Sequence, residues 1–182
     1  VDAPSAREVG VSVAADGVAR ARARITQRFG NNAGVWASLA AGQSKGRDFF
    51  FPEYAADGPP EVAGNARGLD NARFATFTGR AHYSALSLSW LLNHHHKHQP
   101  TAWFDSLFGD ARTRQSDTRG FAELRLELPI GGFMTSLTRV HGNYYRYYGW
   151  YARSPADEGV ETNPYDSFWA GAEQRFVITA GS

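Results

Sequence analysis

The sequence predicts an all-β protein, an antiparallel transmembrane β-barrel of about eight meander strands. Two observations predict it. Apolar and polar residues alternate over several segments of strand length, and the connections between these segments alternate between short turns and long loops. Alternation with a period of two places one kind of side chain on each face of a strand. We expect one domain, residues 1–182, that forms a barrel or part of a larger one.

Composition excludes several other classes. The chain has 182 residues and a mean hydropathy of −0.44. It contains no run of about eighteen apolar residues, as a transmembrane helix requires, whereas a membrane strand needs only about ten alternating residues. The absence of cysteine excludes disulfides and thiolate metal sites. A net charge of +1 without a basic block argues against a nucleic-acid partner.

The first two strands illustrate the alternation. Val9, Val11 and Val13 alternate with polar or small residues from about residue 7 to 15, and Asp16-Gly17 is a strong hairpin signal. The second strand places three arginines on one face, and that face cannot meet lipid. These arginines are therefore expected to line a water-filled or plugged lumen, although a solvated face of a soluble sheet fits equally well. They are Arg20, Arg22 and Arg24.

The middle of the chain predicts three more strands. The third covers residues 35–41, and the fourth follows at 73–83 after a long irregular segment, 45–71. The fifth begins at Leu86 and has Leu86, Leu88, Trp90 and Leu92 on one face. An irregular segment of this length is uncommon in a compact soluble domain, whereas the external loop of a barrel is often long.

The last three strands are predicted after a loop that ends near Asp117. The sixth strand alternates apolar residues with Glu123 and Arg125, which we expect to face the lumen, and it ends at a tight turn in residues 129–132. The seventh covers residues 133–148 without a clear facing. A loop centred near Asp157 and containing Asn163-Pro164 leads to the last strand, 168–176.

Connection lengths predict which side faces outward. The turns at Gly30, Ser84 and Gly131 are short, and the connections centred near Pro59, Asp105 and Asp157 are long. Short turns on one side and long loops on the other are typical of an outer-membrane barrel, with the short side periplasmic. The predicted location is therefore the bacterial outer membrane, with membrane lipid as one partner. A soluble, aromatic-rich β-sandwich remains an alternative.

Two groups in the fifth strand and its loop are candidate sites. His94, His96 and His98 would share one strand face, so two or three of them could bind a transition metal, but a solvated strand extension is the preferred interpretation. Their face is also that of Leu86, Leu88 and Trp90, so either the strand has left the hydrocarbon at His94 or a bulge changes its facing. We predict no metal site.

The loop after these histidines carries aromatic and charged side chains that could contact a ligand. The alternative is that the loop packs upon itself. The candidates are Trp103, Phe104, Asp105, Phe108, Asp110, Arg112 and Arg114.

No pattern of nucleophile and base, no phosphate loop and no H-E-x-x-H occurs. We therefore predict a protein that is not an enzyme and has no cofactor. A small outer-membrane enzyme with Ser and His on adjacent strands is a distant alternative.

Short motifs in a shared order resemble one family. They are Phe50-Phe51-Pro52-Glu53-Tyr54, Ala66-Arg67-Gly68-Leu69-Asp70, Pro100-Thr101-Ala102 with Phe104 and Phe108, Gly109-Asp110-Ala111-Arg112-Thr113-Arg114, Phe121 to Arg125, and Tyr145-Arg146-Tyr147-Tyr148-Gly149-Trp150-Tyr151. Together they resemble the early barrel region of TonB-dependent outer-membrane receptors, over nearly the whole chain.

The resemblance implies a receptor that takes up a scarce nutrient, such as a siderophore-iron complex, through a barrel of about twenty-two strands. It also implies a plug domain and a periplasmic TonB system as partners, and a small-molecule cargo. The N-terminal Val1-Asp2-Ala3-Pro4 has no signal-peptide pattern, so we expect a mature form or a piece of something longer. Relative to the family the sequence shows no plug, no TonB box, only about eight strands and no terminal aromatic in residues 177–182, so it resembles a fragment that starts where the barrel starts. The alternatives are a self-contained eight-stranded structural or adhesive barrel and a soluble ligand-binding β-barrel.

Overall fold

The computed structural model describes residues 5–56, 62–156 and 158–179, which form one large sheet and one small hairpin. The strands are β1 (Ala6–Ala14), β2 (Val18–Phe29), β3 (Ala33–Ser44), β4 (Phe49–Phe50), β5 (Asn65–Ala66), β6 (Ala72–Tyr83), β7 (Leu86–His98), β8 (Arg114–Ile130), β9 (Met134–Ala152) and β10 (Val160–Ile178). Three short 3-10 turns are Ala15–Gly17, Pro52–Tyr54 and Trp103–Asp105. None of the helical segments in the described residues is long and apolar enough to cross a membrane.

The large sheet is an antiparallel meander with the order β1-β2-β3-β6-β7-β8-β9-β10. The prediction of an all-β fold with eight antiparallel meander strands is confirmed. The sheet is open: β1 and β10 are its edges, and the described residues show no pairing between them. These eight strands therefore do not close into a barrel among themselves. The strands β4 and β5 pair with each other inside the first long loop.

Two strands begin earlier than the sequence predicts. The strand β8 begins at Arg114, so Asp117 lies within it, and β10 begins at Val160 and contains Pro164. The side chains in these extensions are mostly polar and carry no apolar alternation, so backbone pairing with the neighbouring strand defines them. Pro164 fits because β10 is an edge strand, where one set of backbone donors has no neighbour to bond.

All short turns but one lie at the same end of the strands. We call this end of the sheet the short-turn edge. Residues 30–32, 84–85 and 131–133 form these turns, and the opposite edge, the long-loop edge, carries the connections 45–71, 99–113 and 153–159 together with the hairpin at Ala15–Gly17. The predicted alternation of short and long connections is confirmed. Two predicted loop centres, Pro59 and Asp157, lie outside the described residues.

Continuous pairing gives the sheet one apolar and one polar face, because directly paired residues share a face. The large apolar side chains of the apolar face include Val9, Val11, Val13, Ile25, Val35, Leu39, Phe77, Leu86, Leu88, Trp90, Leu92, Leu124, Leu126, Val140, Phe168 and Phe176. The charged side chains of the polar face include Arg20, Arg22, Arg24, Arg80, Glu123, Arg125, Arg139, Glu173 and Arg175. The register also settles β9, whose Val140 lies on the apolar face.

The apolar face is exposed over its whole width. Val9, Val11 and Val13 are 81%, 83% and 84% exposed, and Phe168 at the other end of the sheet is 71% exposed. The few buried apolar residues include Ala66, Leu69 and Phe108, which lie in the loops rather than on the sheet. A sandwich would cover such a face with a second layer, and the described residues form a single layer.

The apolar band runs obliquely across the sheet. Residues that pair directly from strand to strand form a row across the sheet. One such row consists of Val11, Ala21, Ala41, Ala75, His94, Thr118, Arg146 and Asp166, in the order of the strands from β1 to β10. Near the short-turn edge, the row of Ile130, Met134 and Ile178 exists only on β8 to β10. The band therefore lies nearer the long-loop edge on β1 and nearer the short-turn edge on β10.

Candidate ligand site at the long-loop edge

Two long loops pack together through an aromatic cluster. Tyr54 in the first loop stacks on Phe108 in the second, with ring centroids 4.3 Å apart and planes 10° apart. Phe51 contacts the same ring edge-on at 5.8 Å. Phe108 is buried together with Ala66 and Leu69, and the edge-on and stacked geometries are both favourable for aromatic pairs. The cluster fixes the positions of the two loops relative to each other.

Arg112 ties the third loop to this cluster. Its guanidinium donates to both carboxylate oxygens of Asp110 and also donates at 2.8 Å to the carbonyl oxygens of Ser154 and Ala156. The backbone N–H of Arg112 donates to Asp110 Oδ1 at 2.8 Å. The hydrogen bonds from Arg112 hold the pKa of the Asp110 carboxyl below its usual range. Asp110 and Arg112 therefore act as a polar clamp between loops 99–113 and 153–159.

A pocket of about 350 Å³ opens beside the clamped loops. Residues from the second loop, from β9 and its end, and from the start of β10 line it: Trp103, Phe104, Tyr147, Tyr151, Arg153, Glu161 and Asn163. The two tyrosines, Glu161 and Asn163 belong to the polar-face register of β9 and β10. The pocket therefore lies where the polar face meets the long-loop edge, and it combines aromatic surface with one cation and one anion.

Phe104 has an uncommon backbone conformation at this pocket. Its φ of 51° and ψ of 46° lie in the left-handed region, which costs a bulky residue about 1–2 kcal/mol. The Arg153 guanidinium donates to the Phe104 carbonyl and, at 2.8 Å, to Glu161 Oε2. The Phe104 ring is 58% exposed and contacts Tyr151 edge-on at 5.7 Å. The uncommon backbone conformation and the exposed ring make Phe104 the strongest candidate in this pocket for contact with a ligand.

The seven loop residues predicted to contact a ligand divide into four groups. Trp103 and Phe104 line the pocket, and Asp105 is exposed on the same turn outside the lining. Phe108 packs in the aromatic cluster, and Asp110 and Arg112 form the clamp between loops. These three residues therefore fit the alternative that the loop packs upon itself. The placement of Arg114 in an external loop is wrong: it begins β8 on the apolar face, over the Trp150 ring at 4.9 Å.

All five residues predicted to face a lumen lie on the polar face. Arg22 pairs with Glu8, and the guanidinium of Arg24 lies over the Trp36 ring at 5.7 Å. Arg125 pairs with Glu127 at 2.9 Å. Arg20 and Glu123 share this face. Their common orientation is a structural fact, and the lumen remains a prediction.

The three histidines share the apolar face, and no bulge interrupts the pairing between β6 and β7. The alternative in which a bulge changes their facing is therefore wrong. His94 Nδ1 lies 2.9 Å from Thr118 Oγ1, and the His96 ring contacts the Trp150 ring edge-on at 6.0 Å. No group of three His, Cys, Asp or Glu side chains within the described ranges is placed to hold a metal ion.

Five pocket residues were missed by sequence reasoning. Tyr147 and Tyr151 carry a signal, since they lie four residues apart on one strand face, but the facing of the seventh strand was undecided. Arg153, Glu161 and Asn163 lie in or beside a segment that was interpreted as loop. These residues approach Phe104 because β9 and β10 pair there. The polar residues of this segment have no apolar alternation that would predict such pairing.

Comparisons with family models, with curated proteins and with solved structures found no match for this chain. The site is therefore interpreted from its own geometry.

Replacing Phe108 with alanine should loosen the loops without unfolding the sheet. Truncation of a buried phenylalanine costs about 3–5 kcal/mol, and here the lost contacts are confined to the loops. Trypsin should then cleave faster after the exposed Arg67. Phe104→Ala is the matched control, because its exposed ring lies outside the cluster of Phe51, Tyr54 and Phe108. Equal cleavage of Phe108→Ala and the unsubstituted protein would contradict the role of the cluster.

The clamp should weaken in acid. Because the pKa of Asp110 is lower in the folded protein than in the unfolded chain, its stabilisation is fully present above the unfolded value of about 4 and is lost as the pH falls through the folded value. Hydrogen exchange of the peptide covering residues 105–113 should accelerate below about pH 4, relative to Asp110→Asn under the same conditions. Asp110→Asn should show faster exchange at neutral pH and no such acid transition.

Proposed function

We propose that this chain forms part of the wall of an outer-membrane β-barrel receptor that takes up a small-molecule nutrient. In this proposal the apolar face meets lipid, the polar face lines the lumen, and the long-loop edge faces the exterior. The observation that carries it is the continuous apolar face, exposed across all eight strands of the meander.

The cost of leaving that face in water favours a membrane environment. Burial of one valine, leucine or phenylalanine side chain stabilises a protein by about 1.5–3 kcal/mol. The exposed apolar side chains come from every strand of the large sheet. Lipid covers such a face without a second protein layer, and the inter-strand hydrogen bonds satisfy the backbone there. The soluble alternative lacks a cover for this face in the described residues.

The oblique course of the apolar band also supports a barrel wall. Barrel strands are tilted by about 35–45° from the membrane normal. Because of this tilt, apolar residues at one constant depth in the membrane lie in a different ladder row on each successive strand. The apolar band is displaced in this way between β1 and β10. A flat soluble sheet has no physical reason to displace its apolar band in this way.

The polar face has the chemistry of a lumen wall. Arg139 reaches Glu123 at 3.5 Å and Glu173 at 3.1 Å, and Arg175 pairs with Glu173 at 2.6 Å. Exposure of this network to hydrocarbon would cost several kcal/mol per charge. A water-filled or plugged lumen gives this polar face water or polar groups, while the apolar face meets lipid.

A receptor role is supported by the loop pocket and by the resemblance to TonB-dependent receptors. The pocket opens at the proposed outer edge, beside the lumen face, so a ligand bound there lies at the entrance. The open sheet offers β1 and β10 as edges for further strands, as a larger barrel needs. On this proposal a plug domain and the TonB system are the partners that supply gating and energy. A self-contained eight-stranded barrel would require β1 to pair with β10.

Single cysteines should report the topology, because the chain has none of its own. In cells that carry the protein in the outer membrane, a membrane-impermeant maleimide should label Glu53→Cys at the long-loop edge without permeabilisation. Gly132→Cys at the short-turn edge should react only after permeabilisation, and Leu88→Cys on the apolar face should stay unlabelled. Equal labelling of all three in intact cells, or a protein found outside the membrane fraction, would contradict the proposal.

Uptake should depend on the pocket. Cells with and without the intact gene would be compared for energy-dependent uptake of labelled iron chelates, cobalamin, oligosaccharides and peptides. For the nutrient that responds, Phe104→Ala should reduce affinity about tenfold, which corresponds to the loss of about 1.4 kcal/mol of aromatic contact. Phe50→Ala is the matched control, since Phe50 is 60% exposed at the same edge outside the pocket. Intact uptake in Phe104→Ala, or no responding nutrient, would count against the receptor role.

A further inference from the structure

A group of cations and histidines lies on the apolar face beyond the apolar band, towards the long-loop edge. We call it the basic belt and define it as Arg73, His94, His96, His98, Arg114 and Arg146. It occupies neighbouring strands β6 to β9. None of these residues belongs to the loop pocket.

The belt begins where the apolar band ends. In one ladder row Phe77, Leu92, Gly120 and Tyr144 lie side by side, and the next row towards the long-loop edge contains Ala75, His94, Thr118 and Arg146. The two rows beyond that contain Arg73, His96, Ser116 and Tyr148, then His98, Arg114 and Trp150. The side chains change from apolar to largely polar at this boundary, and each of the three rows carries one arginine.

The positive charge of the belt is largely uncompensated. Arg146 has Asp166 at 3.7 Å, but Arg73 and Arg114 have no carboxylate partner among the described residues. On the polar face at the same level, Lys97 pairs with Asp70 at 2.9 Å, and Asp117 accepts a hydrogen bond from the Tyr145 hydroxyl at 2.7 Å. On β7, the polar-face Lys97 is therefore paired with a carboxylate, whereas Arg73 and Arg114 on the apolar face of the adjacent strands are not paired with one in the described part of the chain.

Aromatic side chains lie beside the belt. The Arg114 guanidinium lies over the Trp150 ring at 4.9 Å, and the Tyr148 ring lies 4.4 Å from the same ring. Tyrosine and tryptophan prefer the level of lipid head groups, where one end of the ring is apolar and the other is wet. Arginine near an anionic leaflet attracts its phosphates and binds them with two parallel hydrogen bonds.

We propose that the basic belt binds the phosphate groups of anionic lipids in the leaflet around the long-loop edge. This rests on the proposed function, because only a membrane-embedded apolar face puts the belt at head-group level. The lipid phosphates supply the negative charge that the belt lacks. Each arginine should favour an anionic over a zwitterionic lipid by up to about fivefold.

Tryptophan quenching can test the belt and the membrane placement separately. Protein purified from the outer membrane of cells that produce it would be reconstituted into vesicles of phosphatidylcholine and phosphatidylglycerol, in which one or the other lipid is brominated near the glycerol end of its acyl chains. Comparison with Trp90→Phe and Trp150→Phe isolates the signals of the two residues. Trp90 lies within the apolar band, so both brominated lipids should quench it equally. Trp150 should be quenched at least about threefold more effectively by the anionic lipid.

Substitutions then test the cations. The Arg114→Gln/Arg146→Gln variant should bring the anionic preference at Trp150 to about one. Arg80→Gln/Arg119→Gln removes two cations from the polar face of β6 and β8 and should leave the preference unchanged. If the first variant does not fold, raising the salt to about 0.5 M on the unsubstituted protein serves instead, because it shortens the screening length to about 4 Å.

Each result decides a different point. Quenching of Trp90 without an anionic preference at Trp150 would overturn the belt and leave the membrane placement standing. An anionic preference that survives both the double substitution and high salt would also overturn the belt. Absence of quenching at Trp90 would overturn the proposed function and the belt together.

Discussion

The unbroken register of the eight-stranded ladder is the constraint on which the other features depend. Every neighbouring pair from β1 to β10 is antiparallel and continuous. Because side chains alternate between faces, a slip of one residue would turn a whole strand over. It would bring the arginines of β2 among the valines of β1. The single register that avoids this creates one apolar face, one polar face and two different edges at the same time.

The loops form a second structure that the sheet only positions. The sheet is one layer thick, so burial is concentrated at the long-loop edge, around Phe108 and its neighbours. The clamp of Arg112 on Ser154 and Ala156 then links this small core to the end of β9. As a result the pocket beside Phe104 has a fixed wall although its residues come from a loop and two strands. A rigid wall of this kind lowers the ordering cost of binding.

The sequence predicts strands correctly where one strand face is apolar. It does not predict the strand segments in which neither face is apolar. The alternation from Leu86 to Leu92 predicts both the strand and its facing, because burying or covering one face requires a period of two. Ser116, Asp117 and Pro164 carry no such period, so their strand segments were interpreted as loop. The contact between Tyr54 and Phe108 joins residues far apart in the chain, and a left-handed phenylalanine has no sequence signature. The pocket was therefore only partly predictable.

The length of the last three strands explains how the two proposed sites can lie at one level. The strands β8, β9 and β10 have 17, 19 and 19 residues, whereas about ten cross a bilayer. Their excess extends past the apolar band towards the long-loop edge. One face of this extension carries Arg114 and Arg146, which the proposed membrane placement puts at head-group level. On the other face, Tyr147 and Tyr151 support the pocket. The same backbone pairing thus supports one wall of the pocket on the polar face and the proposed lipid contact on the apolar face.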